Sequence, residues 1–217
     1  MSARESARQT SAPQTSVYVL EDDYAMRDAM AMLLRSAGHR VHAFATPAEF
    51  LDGFAPSGPC CVVLDVRMPQ MSGPRVQDEL LQRGFRVPVV FVTGHADVPT
   101  AVGTMRKGAL DFLEKPFDPA RFLEVVQEAL ALASSKQAAD LALTSARTKF
   151  DALTERERAV LGLVLDGMPN RLIAETLHIS VKTVEFHRAH IMRKLEVDTA
   201  AELVRFCVES KLVPPAL

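Results

Sequence analysis

No run of apolar residues in this chain approaches the ~18 that a membrane-crossing helix needs. A helical membrane protein is therefore not expected. Charge of one sign is lacking too. Lys and Arg number 25 against 27 Asp and Glu, for a formal net charge of −2. No global basic field announces nucleic acid, so any such partner must meet a local patch. Cysteine is scarce: Cys60, Cys61 and Cys207 are odd in number, and two are adjacent. That fits neither a disulfide framework nor a zinc knuckle, and free buried thiols in a reducing cytoplasm are the simplest account. The opening MSARESARQTSAPQT has arginines but no hydrophobic stretch behind them, which a secretory leader requires. Residues 1–15 read as a disordered tail, with a targeting role as the alternative.

What is present is enough apolar residue, 48% of 217 positions, to bury one or two cores. From residue 16 to about 133, short apolar runs alternate with helical stretches. The runs are 17–20, 40–44, 61–64, 87–92 and 109–113; the candidate helices are 24–37, 47–54, 73–83, 97–107 and 118–133. Five strands alternating with five helices predict an α/β domain with a parallel sheet covered on both faces. The first, third and fourth runs are nearly all apolar, as strands buried on both faces should be. Residues 134–151 are free of proline and glycine and rich in helix formers. Two readings stay open for this linker: a helix continuing the one before it, or a flexible tether. Beyond 152 the strands stop. Four short helices are predicted, at about 155–165, 170–177, 181–195 and 199–210, within a small all-α domain spanning 152–212. The second and third are joined by His178-Ile179-Ser180, the outline of a helix-turn-helix.

In an open parallel sheet, chemistry sits beyond the carboxyl ends of the strands. Here the first strand runs into Glu21-Asp22-Asp23, the third ends at Asp65, the fourth at Thr93, and the fifth is followed by Lys115. With strand order 2-1-3-4-5, Glu21, Asp22 and Asp65 converge. Gathered carboxylates repel, and a divalent cation relieves them; hard oxygen donors with room for water and phosphate suit Mg2+. Carboxylates serve as nucleophiles in phosphoryl transfer, with the Lys115 ammonium and the Thr93 hydroxyl as counter-groups. Taken alone, an Asp after a strand is a turn residue and Lys-Pro carries no signal; the joint arrangement at four strand ends favours a phosphorylation pocket.

The stretches Glu21-Asp22, LDVRMPQMSG, VTGHAD and GALDFLEKPF resemble the receiver domain of two-component response regulators, close to the FixJ branch, over about 16–133. The resemblance implies a flavodoxin-like fold, with Asp65 as phosphoacceptor. It also implies Mg2+ held by Glu21, Asp22, Asp65 and the backbone carbonyl of Arg67. Thr93, Gly94 and Lys115 would contact phosphate, and Phe112 would be the switch aromatic, although an alternating strand residue at that place is also plain core. Asp23 reads as a helix-start residue. A cis peptide is implied at Lys115-Pro116, and His95 lies near the pocket.

Helix 181–195, VKTVEFHRAHIMRKL, carries a core stripe of Val184, His187, Ile191 and Leu195. Off the stripe, Lys182, Arg188, Arg193 and Lys194 face the single acid Glu185, a cationic surface that fits a major groove or is merely a solvated face. The segment LTERERAVLGLVLDGMPNRLIAETLHISVKTVEFHRAHIMRKLEV resembles the LuxR-type helix-turn-helix of the FixJ/NarL family. It implies phosphate contacts from Lys182 and Thr183, and groove-facing Glu185, Phe186, Arg188 and Ala189. Asn170, Arg171, Arg193 and Lys194 would lie near the DNA backbone. The last helix would be a dimerisation helix, pairing through Ala200, Leu203, Val204 and Cys207. His187 and His190 share part of a face, but no third zinc ligand is evident.

Together the two resemblances imply a response regulator. A partner sensor histidine kinase phosphorylates Asp65, and a phosphorylated homodimer binds promoter DNA and engages RNA polymerase as an activator, in the cytoplasm and away from membranes. Two other readings compete. One is a DNA-binding protein whose receiver is only a dimerisation scaffold. The other is a phosphohydrolase, which would want an acid two residues past the nucleophile, where Arg67 stands.

Overall fold

The computed structural model describes residues 15–94 and 98–212. It divides into two compact units, residues 1–137 and 138–217. The proposed tail lies, but for Thr15, outside the described residues, and so does His95.

The first unit holds five strands: β1 (Ser16–Leu20), β2 (Arg40–Phe44), β3 (Cys60–Asp65), β4 (Val89–Thr93) and β5 (Ala109–Glu114). All pairings are parallel, in the order β2-β1-β3-β4-β5. Between them run α1 (Tyr24–Ser36), α2 (Pro47–Gly53), α3 (Gly73–Gln82) and α4 (Val98–Arg106), and α5 (Pro119–Asp151) follows β5. Side chains of a strand alternate between faces, and this splits the core in two. Val17, Val19, Cys61, Val63, Val90 and Val92 pack with Met30 and Leu34 of α1 and with Phe122, Val125 and Val126 of α5. Tyr18, Leu20, Cys60, Val62, Leu64 and Phe91 pack with Phe50 of α2 and with Val76 and Leu80 of α3. Each such buried Val, Leu or Phe contributes roughly 1.5–3 kcal/mol of transfer free energy. The adjacent cysteines therefore belong to opposite faces, and both are free and buried. Burial pushes the Cys60 thiol up to about 11 and the Cys61 thiol higher still.

The residues between 134 and 150 are helical, in one 33-residue element with those before them. Up to Ala133 the helix buries residues at helical spacing; beyond it the surface is mostly exposed until Phe150. Ala, Leu, Lys and Gln supply the propensity that packing does not.

The second unit adds α6 (Glu155–Leu165), α7 (Asn170–Leu177), α8 (Val181–Leu195) and α9 (Ala200–Ser210). Thr154 and Glu157 form a capping box at the start of α6. Gly167, at φ +77°, turns the chain after α6 in a conformation that favours glycine. Phe150, Leu161, Ile173, Val184, Ile191, Leu195, Leu203 and Cys207 form one core. Among the described residues, no helix is long and apolar enough to cross a membrane.

Candidate functional site

Because all five strands run the same way, their last residues gather along one edge: Leu20, Phe44, Asp65, Thr93 and Glu114. The carboxylates of Glu21, Asp22 and Asp65 meet there, with one ligand oxygen from each lying within 4.8 Å of the others. Glu21 and Asp65 are buried and Asp22 is exposed. The Lys115 ammonium donates to Glu21 Oε2 at 2.5 Å and to Asp65 Oδ1 at 3.1 Å. An open depression of about 460 Å³ is lined by Asp65, Arg67, Gly94 and Lys115.

Local structure explains how each group is held. Asp23 caps α1, its carboxylate accepting from the Met26 N–H at 2.7 Å, so it takes the helix-start role. Arg27, one turn into α1, donates to the carbonyls of Glu21 (2.7 Å) and Asp22 (3.1 Å) and pins the acidic turn. Sequence reading missed Arg27, because its target is backbone. Gly73 was missed as well. A Cβ on Gly73 would lie 2.2 Å from the Asp65 carbonyl oxygen, so α3 can start against the end of β3 only with glycine there. The Gly73 N–H also donates to the Val66 carbonyl at 3.1 Å. The signal available was the glycine that follows Ser72 at a helix start. Thr93 is buried beside the cluster at the end of β4. Gly94 is exposed, with open space where a side chain would stand. Phe112 is half-buried and packs near Phe91, ring centroids 6.1 Å apart. The Lys115–Pro116 peptide is cis.

Burial pushes the Asp65 carboxyl above its ordinary pKa, and the Lys115 charge and hydrogen bond only partly offset it. Glu21 is likewise raised, by burial first, with the Lys115 hydrogen bond opposing and the Asp65 charge adding. For Lys115, burial works against the charge, but the hydrogen bond and charge of Glu21, then those of Asp65, carry its pKa upward. The donor set fits a hard divalent cation: three carboxylates, two of them buried and short of compensating charge, with an exposed third side. Receiver domains generally bind Mg2+.

In the second unit, Ser180 caps α8, and its hydroxyl lies 2.8 Å from that of Thr183. Lys182, Glu185, Phe186, Ala189 and Arg193 are exposed on α8. Arg188 donates to Asn170 Oδ1 at 3.0 Å and ties α8 to the start of α7. Arg171 pairs with Glu175 on the surface of α7. Lys194 turns inward: it donates to Glu157 Oε2 at 2.7 Å and to the Ala152 carbonyl at 3.1 Å. On α9, Leu203 and Cys207 belong to the unit's own core, while Ala200 and Val204 are exposed with Val208. Among the described residues, the acidic cluster alone gathers three or more metal-ligating side chains within reach of one ion, and His187 and His190 gain no third partner of that kind.

Comparison with known proteins places both units. Residues 17–127 match the response regulator receiver domain, and residues 151–207 match the luxR family of bacterial regulatory proteins. The chain is 40% identical over 198 residues to the transcriptional regulatory protein FixJ of Azorhizobium caulinodans, covering 91% of this chain and 94% of that one. It is 40% identical over 190 residues to the tetrathionate response regulatory protein TtrR of Salmonella typhimurium, covering 88% and 90%. Among solved structures, the response regulator StyR superposes with a TM-score of 0.85 at 38% identity over 90% of this chain and 99% of that one. Full-length FixJ from B. japonicum gives 0.57 at 35% identity, over 93% and 99%. With a carboxylate cluster at the strand ends of one unit and a capped helix-turn-helix in the other, this chain belongs to the two-component response regulators of the FixJ type, transcriptional regulators that join a receiver domain to a LuxR-type DNA-binding domain.

Proposed function

We propose that Asp65 accepts a phosphoryl group from the phosphohistidine of a partner sensor kinase, and that this controls dimerisation and promoter binding. An Asp65 carboxylate oxygen attacks phosphorus, the phosphorus–nitrogen bond breaks, and the imidazole departs. Glu21, Asp22, Asp65 and the Arg67 carbonyl would hold Mg2+, which when bound supplies positive charge to the phosphoryl oxygens. Lys115 adds a second cation, and Gly94 leaves space for the incoming group. The new charge draws the Thr93 hydroxyl and repositions Phe112, two groups on neighbouring strands. A homodimer forms and presents two α8 helices to a two-half-site operator. Lys182 and Thr183 hold phosphates; Glu185, Phe186, Arg188 and Ala189 face base edges, with Asn170, Arg171 and Arg193 near the backbone. Lys194 serves mainly the interior. On α9, Ala200 and Val204 are free to pair across the two-fold axis. The complex recruits RNA polymerase as an activator, in the cytoplasm where the chromosome is. Asp65 loses its phosphoryl group slowly to water.

One observation carries this reading: Lys115 bridges Glu21 and Asp65 at the mouth of an open depression, with Asp22 alongside. The test is acid-labile, hydroxylamine-sensitive phosphate on the full chain after treatment with acetyl phosphate and Mg2+. We expect it on the wild type and none on Asp65→Asn; equal labelling of the two refutes the assignment. For the DNA half, Lys182→Ala should weaken binding evenly across sequences and lower the salt slope by about 1. Arg188→Ala should weaken it with some loss of selectivity. An unchanged footprint in both variants refutes the α8 reading.

A further inference from the structure

We propose that Phe186 reads the C5-methyl group of one thymine in each operator half-site, from a ring position set by His190. The inference rests on the reading of α8 as the DNA-contacting helix and adds the chemical group it recognises.

Phe186 belongs to α8 but to none of its packing. The buried stripe of the helix is Val184, Ile191 and Leu195, and Phe186 is 58% exposed. A phenyl ring left in water contributes nothing to the fold, because its apolar area is not buried by folding. Yet the ring is positioned. It lies tilted against the His190 imidazole one turn later, centroids 4.1 Å apart and planes 38° apart, and meets His187 edge-on at 6.1 Å. His190 has neighbours of its own. Its Nδ1 lies 3.9 Å from the carboxylate of Glu157, which is 3% exposed, and its Nε2 lies 3.4 Å from Arg193 Nη2. One side of the ring is therefore backed by a chain of contacts reaching the core, and the other is open.

The neighbours suit a groove. Residues three and four apart share a helix face, which puts Lys182 and Ala189 on either side of Phe186. Lys182 is an exposed cation in the first turn, where phosphate is expected, and Ala189 is exposed and too small to hold the ring away from a surface. Along the major groove, base edges offer hydrogen-bond donors and acceptors and one apolar group, the thymine methyl. A phenyl ring without polar atoms can discriminate there only by that methyl. Preorganisation by His190 limits the side-chain entropy lost on contact.

The full chain, treated with acetyl phosphate and Mg2+, is used to select duplexes from a random pool, and each thymine of the selected site is replaced in turn by deoxyuridine. This removes the methyl and leaves every hydrogen-bonding atom. For the wild type we expect one position per half-site where the replacement weakens binding about fourfold, the effect of burying one methyl-sized group. Phe186→Ala should bind the parent duplex more weakly and show no response to uracil at that position. Phe186→Leu, which keeps an apolar end, should retain part of it. His190→Ala should reduce the response without abolishing it. A wild type indifferent to every thymine replacement overturns the proposal, even where Phe186→Ala weakens binding, since the ring would then be wedging or stacking rather than reading a methyl. An undiminished response in Phe186→Ala also overturns it. A failure of the parent reading looks different: the pool yields no enriched sequence.

Discussion

Replacing Asp65 with asparagine should make the metal-free receiver more stable. The ligand oxygens of Glu21, Asp22 and Asp65 lie within 4.8 Å of one another. At an effective dielectric of about 20, two like charges at such a distance repel by roughly 3.5 kcal/mol. Lys115 pulls the other way: across its 3.1 Å contact with Asp65 the same arithmetic gives roughly 5 kcal/mol. Two repulsions of that size exceed one attraction by about 2 kcal/mol. Screening reduces the part due to exposed Asp22, while the burial of Asp65 works further against its charge. A net gain of about 1 kcal/mol for Asp65→Asn follows, or roughly 3–6 °C in the midpoint of a domain this size. Calorimetry on the full chain in EDTA reads it, the receiver transition being the one that Mg2+ moves. Saturating Mg2+ stabilises the wild type more than the variant, so the gap should close or reverse. The pH dependence has a definite sign. A carboxyl whose folded pKa is raised binds its proton more tightly when folded, so stability is lost as pH rises from the ordinary carboxylate range, about pH 4, through the raised value. Asp65→Asn should flatten that decline. A lower midpoint for Asp65→Asn in EDTA would refute the reasoning, for it would mean that attraction to Lys115 outweighs repulsion and burial together.

Three further outcomes follow from named contacts. Gly73→Ala drives a Cβ into the Asp65 carbonyl oxygen; it should cost about 2 kcal/mol or more in urea unfolding and slow labelling by acetyl phosphate, whereas alanine at Gly103, where an added Cβ meets nothing within 4 Å, should do neither. Lys115→Met leaves Glu21 and Asp65 without their shared cation. Its midpoint in EDTA should fall by an amount equivalent to about 2–3 kcal/mol and recover more than the wild type's on adding Mg2+. Glu157→Gln keeps the shape of the capping box but removes the charge that Lys194 meets at 2.7 Å, at a cost of about 1–2 kcal/mol in denaturant titration of the DNA-binding domain.

The sheet was readable because its central strands are buried on both faces. The runs at 17–20, 61–64 and 87–92 are nearly unbroken apolar residues, and in the structure β1, β3 and β4 are almost wholly buried. The edge strand β2, with exposed Arg40 and Ala43, gave a fainter pattern. The site was readable for a related reason: polar residues that end apolar strands need a purpose, and parallel pairing brings them to one edge. What the pattern hides is long-range. Lys194 looks like a DNA-facing cation, but its partner is Glu157, 37 positions earlier. Leu203 and Cys207 show the spacing of an apolar helix stripe, which is the same whether the stripe meets a second copy or the helix's own domain; here it meets the domain core. Gly73 and Arg27 act on backbone atoms, and no side-chain pattern announces a carbonyl as a target.

Both units keep acids away from water, and those of the two units behave in opposite ways. Burial pushes Glu157 up, but the Lys194 hydrogen bond, the N–H and hydroxyl of Thr154 and the Lys194 charge outweigh it and hold its carboxyl below the ordinary range. Its contribution is present above the ordinary carboxylate value and is lost as pH falls through the lowered one. Glu157 is therefore a fastening: it closes the cap of α6, anchors Lys194 and backs His190. Asp65 and Glu21 are raised, and for them the ionised state at neutral pH is a standing cost to the fold. Hydrophobic residues of similar size would remove that cost, since buried ion pairs seldom outperform apolar packing. A cluster that weakens the domain in isolation is favoured only when something arrives to neutralise it. A divalent cation held among the three carboxylates would do so, and its binding would thereby couple the occupancy of this edge to the free energy of the receiver.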